Sequence, residues 1–179
     1  MLQLFGFERI GVVIGDLYFL DPVQKAGQEG AEHGVRLEVR LLDLGELAGS
    51  IYSARPISIA EPVWRADLLE TVDGPAGSLN RAHHHPRMQD WEPRGRVLDE
   101  ELSADPVGWV GRQLSDLEGL LSRAGIAVDA TLVTDAESLR SAVPDVQRAV
   151  RSMLDLVNAG RLGTAPPGEE LTGARISWL

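Results

Sequence analysis

Val35-Arg-Leu-Glu-Val-Arg-Leu41 alternates apolar and charged residues without a break. In an extended chain successive side chains point to opposite faces. Val35, Leu37, Val39 and Leu41 therefore share one face, and Arg36, Glu38 and Arg40 share the other. This is a strand with one face buried, the mark of an antiparallel sheet covered on one side. The strand should extend to about residue 44.

Toward the N-terminus, residues 9–20 hold the β-branched run Ile10, Val12, Val13, Ile14 and read as a second strand. Asp21-Pro22 offers a helix cap followed by proline at the first helical position. A helix to His33 is expected, with Gly34 as a left-handed C-cap. Its apolar face is thin: Val23, Ala26, Ala31.

Toward the C-terminus, residues 50–60 and 63–72 read as strands, with Pro56 and Pro62 marking an edge or a bulge. Asp73-Gly-Pro-Ala-Gly77 is a turn, and residues 78–85 return as the partner strand. Residues 86–104 show no period and read as a long loop. A helix follows over 106–123, with an Asp-Pro start and Val107, Val110, Leu114, Leu117 and Leu121 on one face. Residues 126–133 suggest a strand. Thr134 to Glu137 resembles a capping box that opens a helix to 158, interrupted at Pro144. The carboxylates of these helices read as a solvated face.

The class is α+β: a mainly antiparallel sheet with helices on one face. Removing an insertion at about 62–105 leaves a split β-α-β arrangement that points to a ferredoxin-like core. One domain over 1–160 is expected, with a loose tail over 161–179 and Ile176 to Leu179 docking as an apolar hook.

Composition narrows the functional classes. The net charge of −10 argues against nucleic acid and against an anionic membrane surface. No stretch has the roughly 18 apolar residues of a membrane span. The absence of cysteine removes disulfides, thiol nucleophiles and thiolate ligands, and fits a cytoplasmic protein. The sheet face without helices needs cover, so a homodimer or an accessory-subunit role is expected.

The chemistry-bearing candidates cluster in Arg81-Ala-His-His-His-Pro-Arg87. On an extended segment His83 and His85 share a face with Arg81, and His84 points away. A loop at 73–77 sets Leu69 opposite Arg81, Asp67 opposite His83 and Arg65 opposite His85. Directly opposed residues lie on one face. Asp67, His83 and His85 would then form a two-histidine, one-carboxylate group for a divalent metal ion, or serve as acid–base groups without one. A slip of one residue would instead set Asp67 against His84. Residues 76–97 carry four arginines and two acids, with Trp64 and Trp91 nearby. Arg81, Arg65, Arg87 and Trp91 are thus candidate contacts to a small anionic ligand. The rival reading is a non-catalytic interaction protein that binds through the Trp91 loop and the Trp178-Leu179 tail.

Gly77, His83, His85 and Asp90 are spaced in a way similar to the first half of a cupin metal motif, which implies a histidine-bound metal on a strand. The resemblance covers about 14 residues, with Asp90 where that motif has glutamate. No histidine follows His85 to supply the second half, and the chain is not assigned to that family.

Overall fold

The computed structural model describes residues 1–168 and 172–179. Its main sheet is built from β1 (Leu2–Gly6), β2 (Ile10–Leu20), β3 (Glu32–Leu44), β4 (Ile57–Thr71) and β5 (His83–His85), paired in sequence order and antiparallel throughout. A small hairpin, β6 (Arg87–Gln89) and β7 (Glu92–Arg94), follows β5. Four helices come next: α1 (Glu100–Ala104), α2 (Pro106–Ser115), α3 (Leu117–Ala124) and α4 (Ala130–Asn158). Finally β8 (Ala174–Ser177) pairs with the far end of β2. The fold is α+β, with the helices on one side of the sheet. Among the described residues no helix is long and apolar enough to cross a membrane.

The alternation on β3 sets the layering. Val35, Leu37 and Val39 are fully buried and join Ile10, Val12, Ile14, Trp64, Ala66 and Leu68 in one apolar layer. Leu114, Leu121, Leu139, Val146, Val150 and Met153 pack on it from the helices. The opposite face carries Arg36, Glu38 and Arg40, and these charges are also largely shielded.

Several sequence expectations are corrected. The ferredoxin-like order is not present, because no helix separates β2 from β3. Asp21 does not cap a helix; its Oδ1 accepts from Val23 N at 2.8 Å, a local turn. Gly27 and Gly30 then take φ of 77° and 85°. A segment with so little apolar face cannot offset the cost of helix nucleation. Gly34 is not a C-cap but lies inside β3.

The strands expected at 50–60 and 63–72 are one strand, β4, while residues 50–53 form a turn and 54–56 have no regular structure. Pro62 sits where the β3–β4 register shifts, so its missing N–H disrupts the ladder at a bulge. Of the strand expected over 78–85 only His83–His85 pairs. The loop expected over 86–104 contains β6, β7 and α1.

The helix expected over 106–123 is two helices, broken where Asp116 caps α3 by accepting from Gly119 N at 3.2 Å. No strand exists at 126–133: Asp129 accepts from Leu132 N at 3.0 Å and starts α4 a turn before the Thr134 motif. α4 runs through Pro144 without a break in the helix. β1 has no counterpart in the sequence reading. The loose-tail expectation falls partly on 169–171, outside the described residues, while Leu179 is buried against Gly15.

Candidate functional site

Three strands carry the site, and their register arranges it as two rows on the helix-free face. Arg36 of β3 pairs with Asp67 of β4, and Asp67 with His83 of β5. One step along, Glu38 pairs with Arg65, and Arg65 with His85. The alternative register, Asp67 opposite His84, does not occur. His84 points to the helix layer, its ring 5.0 Å from Trp109, which in turn stacks at 5.9 Å on Trp64.

Asp67 is 1 % exposed. Arg36 holds both its oxygens, Nε to Oδ1 at 2.6 Å and Nη2 to Oδ2 at 3.2 Å. The same Oδ2 lies 3.4 Å from His83 Nε2 and 3.5 Å from His85 Nε2. The two rings meet edge to face, 4.9 Å between centroids. Burial alone would raise the Asp67 pKa. The Arg36 charge and hydrogen bonds, together with any proton that His85 or His83 carries on Nε2, jointly outweigh that and hold the carboxyl well below the usual range.

Each imidazole is oriented from behind. His83 Nδ1 lies 2.7 Å from the Arg81 carbonyl oxygen, and His85 Nδ1 lies 2.6 Å from that of Gly95. A carbonyl only accepts, so each Nδ1 carries the hydrogen and donates it. In the neutral ring Nε2 is then a bare lone pair, and both lone pairs face Asp67. Burial pushes the His83 pKa down to about 4, partly opposed by Asp67, so His83 is neutral at pH 7. One donor atom from each of Asp67, His83 and His85 lies within 4.8 Å of the other two, the spacing of a metal-binding group.

The group opens into a cavity of about 310 Å³. Leu17, Phe19, Leu69 and Pro93 make its apolar wall, and Arg36, Arg65, Arg96 and Arg175 its cationic one. The β6–β7 hairpin contributes Glu92 and Pro93, and β8 contributes Arg175. The hairpin turns tightly at Asp90 and Trp91, both at positive φ (52° and 67°). The segment after it supplies the Gly95 carbonyl that orients His85.

The other candidate contacts are placed differently. Arg65 lines the cavity while its Nε donates to Glu38 Oε1 at 2.7 Å. Arg81 turns to the 21–31 loop, 3.5 Å from Glu32 and bonded to the Gly27 carbonyl. Arg87 is exposed and reaches toward Gly125. Trp91 is 57 % exposed, with the Arg40 guanidinium 5.6 Å from its ring centre. Neither Arg81, Arg87 nor Trp91 lines the cavity. Sequence reasoning missed Arg36, Glu38, Arg96 and Arg175. A signal existed for the first two: Arg36 and Glu38 on β3 complement Asp67 and Arg65 on β4 when the strands run antiparallel.

No protein-family model, curated protein or solved structure matches the chain.

Proposed function

We propose that the chain binds one first-row divalent metal ion through His83 Nε2, His85 Nε2 and Asp67 Oδ2, and uses the ion's open side to handle a small molecule in the adjoining cavity. The observation that carries this reading is the orientation of the rings. While both rings are neutral, two imidazole lone pairs and a carboxylate oxygen converge at 3.4 and 3.5 Å, and a cation between them would turn that repulsion into attraction. A proton on one ring can relieve one contact only, and burial opposes even that at His83. A metal ion relieves both.

The carbonyls of Arg81 and Gly95 and the Arg36 guanidinium then act as outer partners that fix the ligands. Three protein ligands leave positions open for water or a substrate atom, as catalytic rather than structural metal sites do. The burial of these groups at a cavity, rather than on a flat surface, supports small-molecule handling over a purely interactive role. The rival reading, a non-catalytic binding protein, draws on the exposure of Trp91 and of Trp178 (74 %). A cytoplasmic location fits the absence of cysteine and belongs to the same reading.

The test is metal analysis of purified protein and titration of the metal-free form with Co(II) or Zn(II). One ion per chain is expected. His83→Ala and His85→Ala should each weaken binding tenfold or more, and His84→Ala should leave it unchanged. Tight binding that survives both His83→Ala and His85→Ala would overturn the assignment.

A further inference from the structure

We infer that the small molecule is a carboxylic acid whose carboxylate bridges the metal ion and Arg65. The inference rests on the metal reading above and adds the class of ligand. Its first support is charge. Four arginines (36, 65, 96, 175) and four acids (Asp21, Glu32, Asp67, Glu92) line the cavity, so the wall is balanced without an ion. A divalent ion adds two positive charges in a shielded place, where they are weakly screened. A neutral occupant would leave them unmatched; a small anion matches them.

The second support is position. Arg65 is the cross-strand neighbour of His85, and it sits two residues from Asp67 on the same face of β4. It therefore lies beside two of the three metal ligands. Its side chain is about 10 % exposed, and Nε is occupied by Glu38. Among the described residues neither Nη donates to a protein acceptor, and neither is sealed from solvent. The open side available to them is the cavity that Arg65 lines. A planar guanidinium held at one edge, with two donors free at the other, suits a carboxylate. Arg36 Nη1 is likewise without a protein acceptor on the same wall. Leu17, Phe19, Leu69 and Pro93 give the acid's carbon body an apolar surface, and the volume is at the small end for ligand sites (about 300–1,000 Å³).

Lactate, lactamide and inorganic phosphate are the probes, titrated into the Co(II)-loaded protein and followed by the visible Co(II) spectrum. Lactate should perturb the spectrum by about 10 mM, ten times the roughly 1 mM constant expected of so small a probe. Lactamide, which lacks the charge, should not. Arg65→Lys keeps a cation for Glu38 but removes the paired donors. It should still bind one Co(II) while its lactate affinity falls tenfold or more. Arg96→Gln, at the exposed rim and outside the ion-pair network, should weaken lactate a few-fold and cannot be dismissed as a folding defect. If the wild-type protein takes up no Co(II), the metal reading fails and this inference falls with it. If Co(II) binds but lactate leaves the spectrum unchanged, or binds Arg65→Lys equally well, the ligand class alone is wrong. A response to phosphate and not to lactate would also exclude the carboxylate.

Discussion

Arg36 and Asp67 form a two-point ion pair across β3 and β4, at 2.6 and 3.2 Å, with side-chain exposures of only 11 % and 2 %. The pair explains how a carboxylate can stay ionised beneath two imidazoles. It also leaves Oδ2 shared between Arg36 and the proposed metal position, so the two cations act on one anion. Arg36→Met should strand the Asp67 charge and cost about 3–5 kcal/mol of folding stability. A divalent ion should return part of that loss. Thermal unfolding with and without Zn(II) should then show a larger metal-induced rise in Tm for Arg36→Met than for the wild type. An equal rise in both would separate Asp67 from the metal.

In the metal-free protein the buried ligands should make stability depend on pH in one direction. Burial pushes the His83 pKa from 6.5 down to about 4, so the unfolded chain binds more protons than the folded one between those values. Stability therefore rises with pH across that window, is complete above about 6.5, and is lost as pH falls through 4. Asp67, whose folded pKa is also depressed, continues the loss at lower pH. The His83 contribution is on the order of 3 kcal/mol at most. Urea unfolding in the presence of a chelator at pH 7, 5.5 and 4.5 measures it. A flat profile over that range would mean His83 is protonated or solvent-exposed when folded.

Much of the site was legible because an antiparallel register is a single number. Leu69 and Arg81 are joined by the Arg81 N to Leu69 O bond at 3.0 Å, and Asp67–His83 and Arg65–His85 keep the same spacing. The turn itself is not the simple five-residue loop read from sequence. Glu70 accepts from Gly77 N and Leu79 N at 3.1 Å, Leu79 takes φ 46°, and Asn80 caps Thr71 N. The register survives because the pairing beyond the turn, not the turn's own shape, decides which faces align. The cavity walls were not legible. Arg175 reaches the site from β8, and no local pattern announces a contact made so far along the chain. The helix read at Asp21-Pro22 and the strand read at 126–133 failed for a related reason. Each rested on a short local signal, which the glycines of the first segment and the Asp129 cap of α4 overrode.

Gly34 gives a sharp test of how closely β3 and β4 approach at this site. Its φ is 152°, and a Cβ there would sit 2.1 Å from the Leu68 carbonyl oxygen, a backbone atom that cannot swing aside. Gly34→Ala must therefore part the strands one pair away from Val35–Leu68 and two from Arg36–Asp67. A loss of about 2 kcal/mol or more is expected. The metal affinity should fall with it, because Asp67 shifts relative to β5. Unchanged stability would show that the strands stand further apart than described.

Asp135 carries the last prediction, and it corrects the reading of helix carboxylates as a solvated face. Asp135 lies on α4, is 2 % exposed, and accepts three backbone N–H groups: Glu8 at 3.0 Å, Arg9 at 2.7 Å and Ile10 at 3.0 Å. Glu8 and Arg9 belong to the turn between β1 and β2 and Ile10 opens β2; the turn closes on itself through Phe7 N and the Ile10 carbonyl at 2.8 Å. One carboxylate thus ties the helix layer to the sheet and satisfies donors that the ladder cannot reach. Asp135→Ala would leave those donors without partners, each a loss of about 1–3 kcal/mol where water cannot replace the bond. Part of the turn can hydrate, so the expected total is about 3 kcal/mol rather than the full sum. Asp135→Asn keeps one accepting oxygen but turns an amide donor toward N–H groups, so it should fall between alanine and wild type. Denaturant midpoints give the order of the three proteins. Amide exchange gives the location: Glu8, Arg9 and Ile10 should exchange faster in both variants, while the β3–β4 amides should quicken only as far as the loss of global stability dictates. If Asp135→Ala matches the wild type in midpoint and in exchange at those three amides, α4 does not hold the β1–β2 turn.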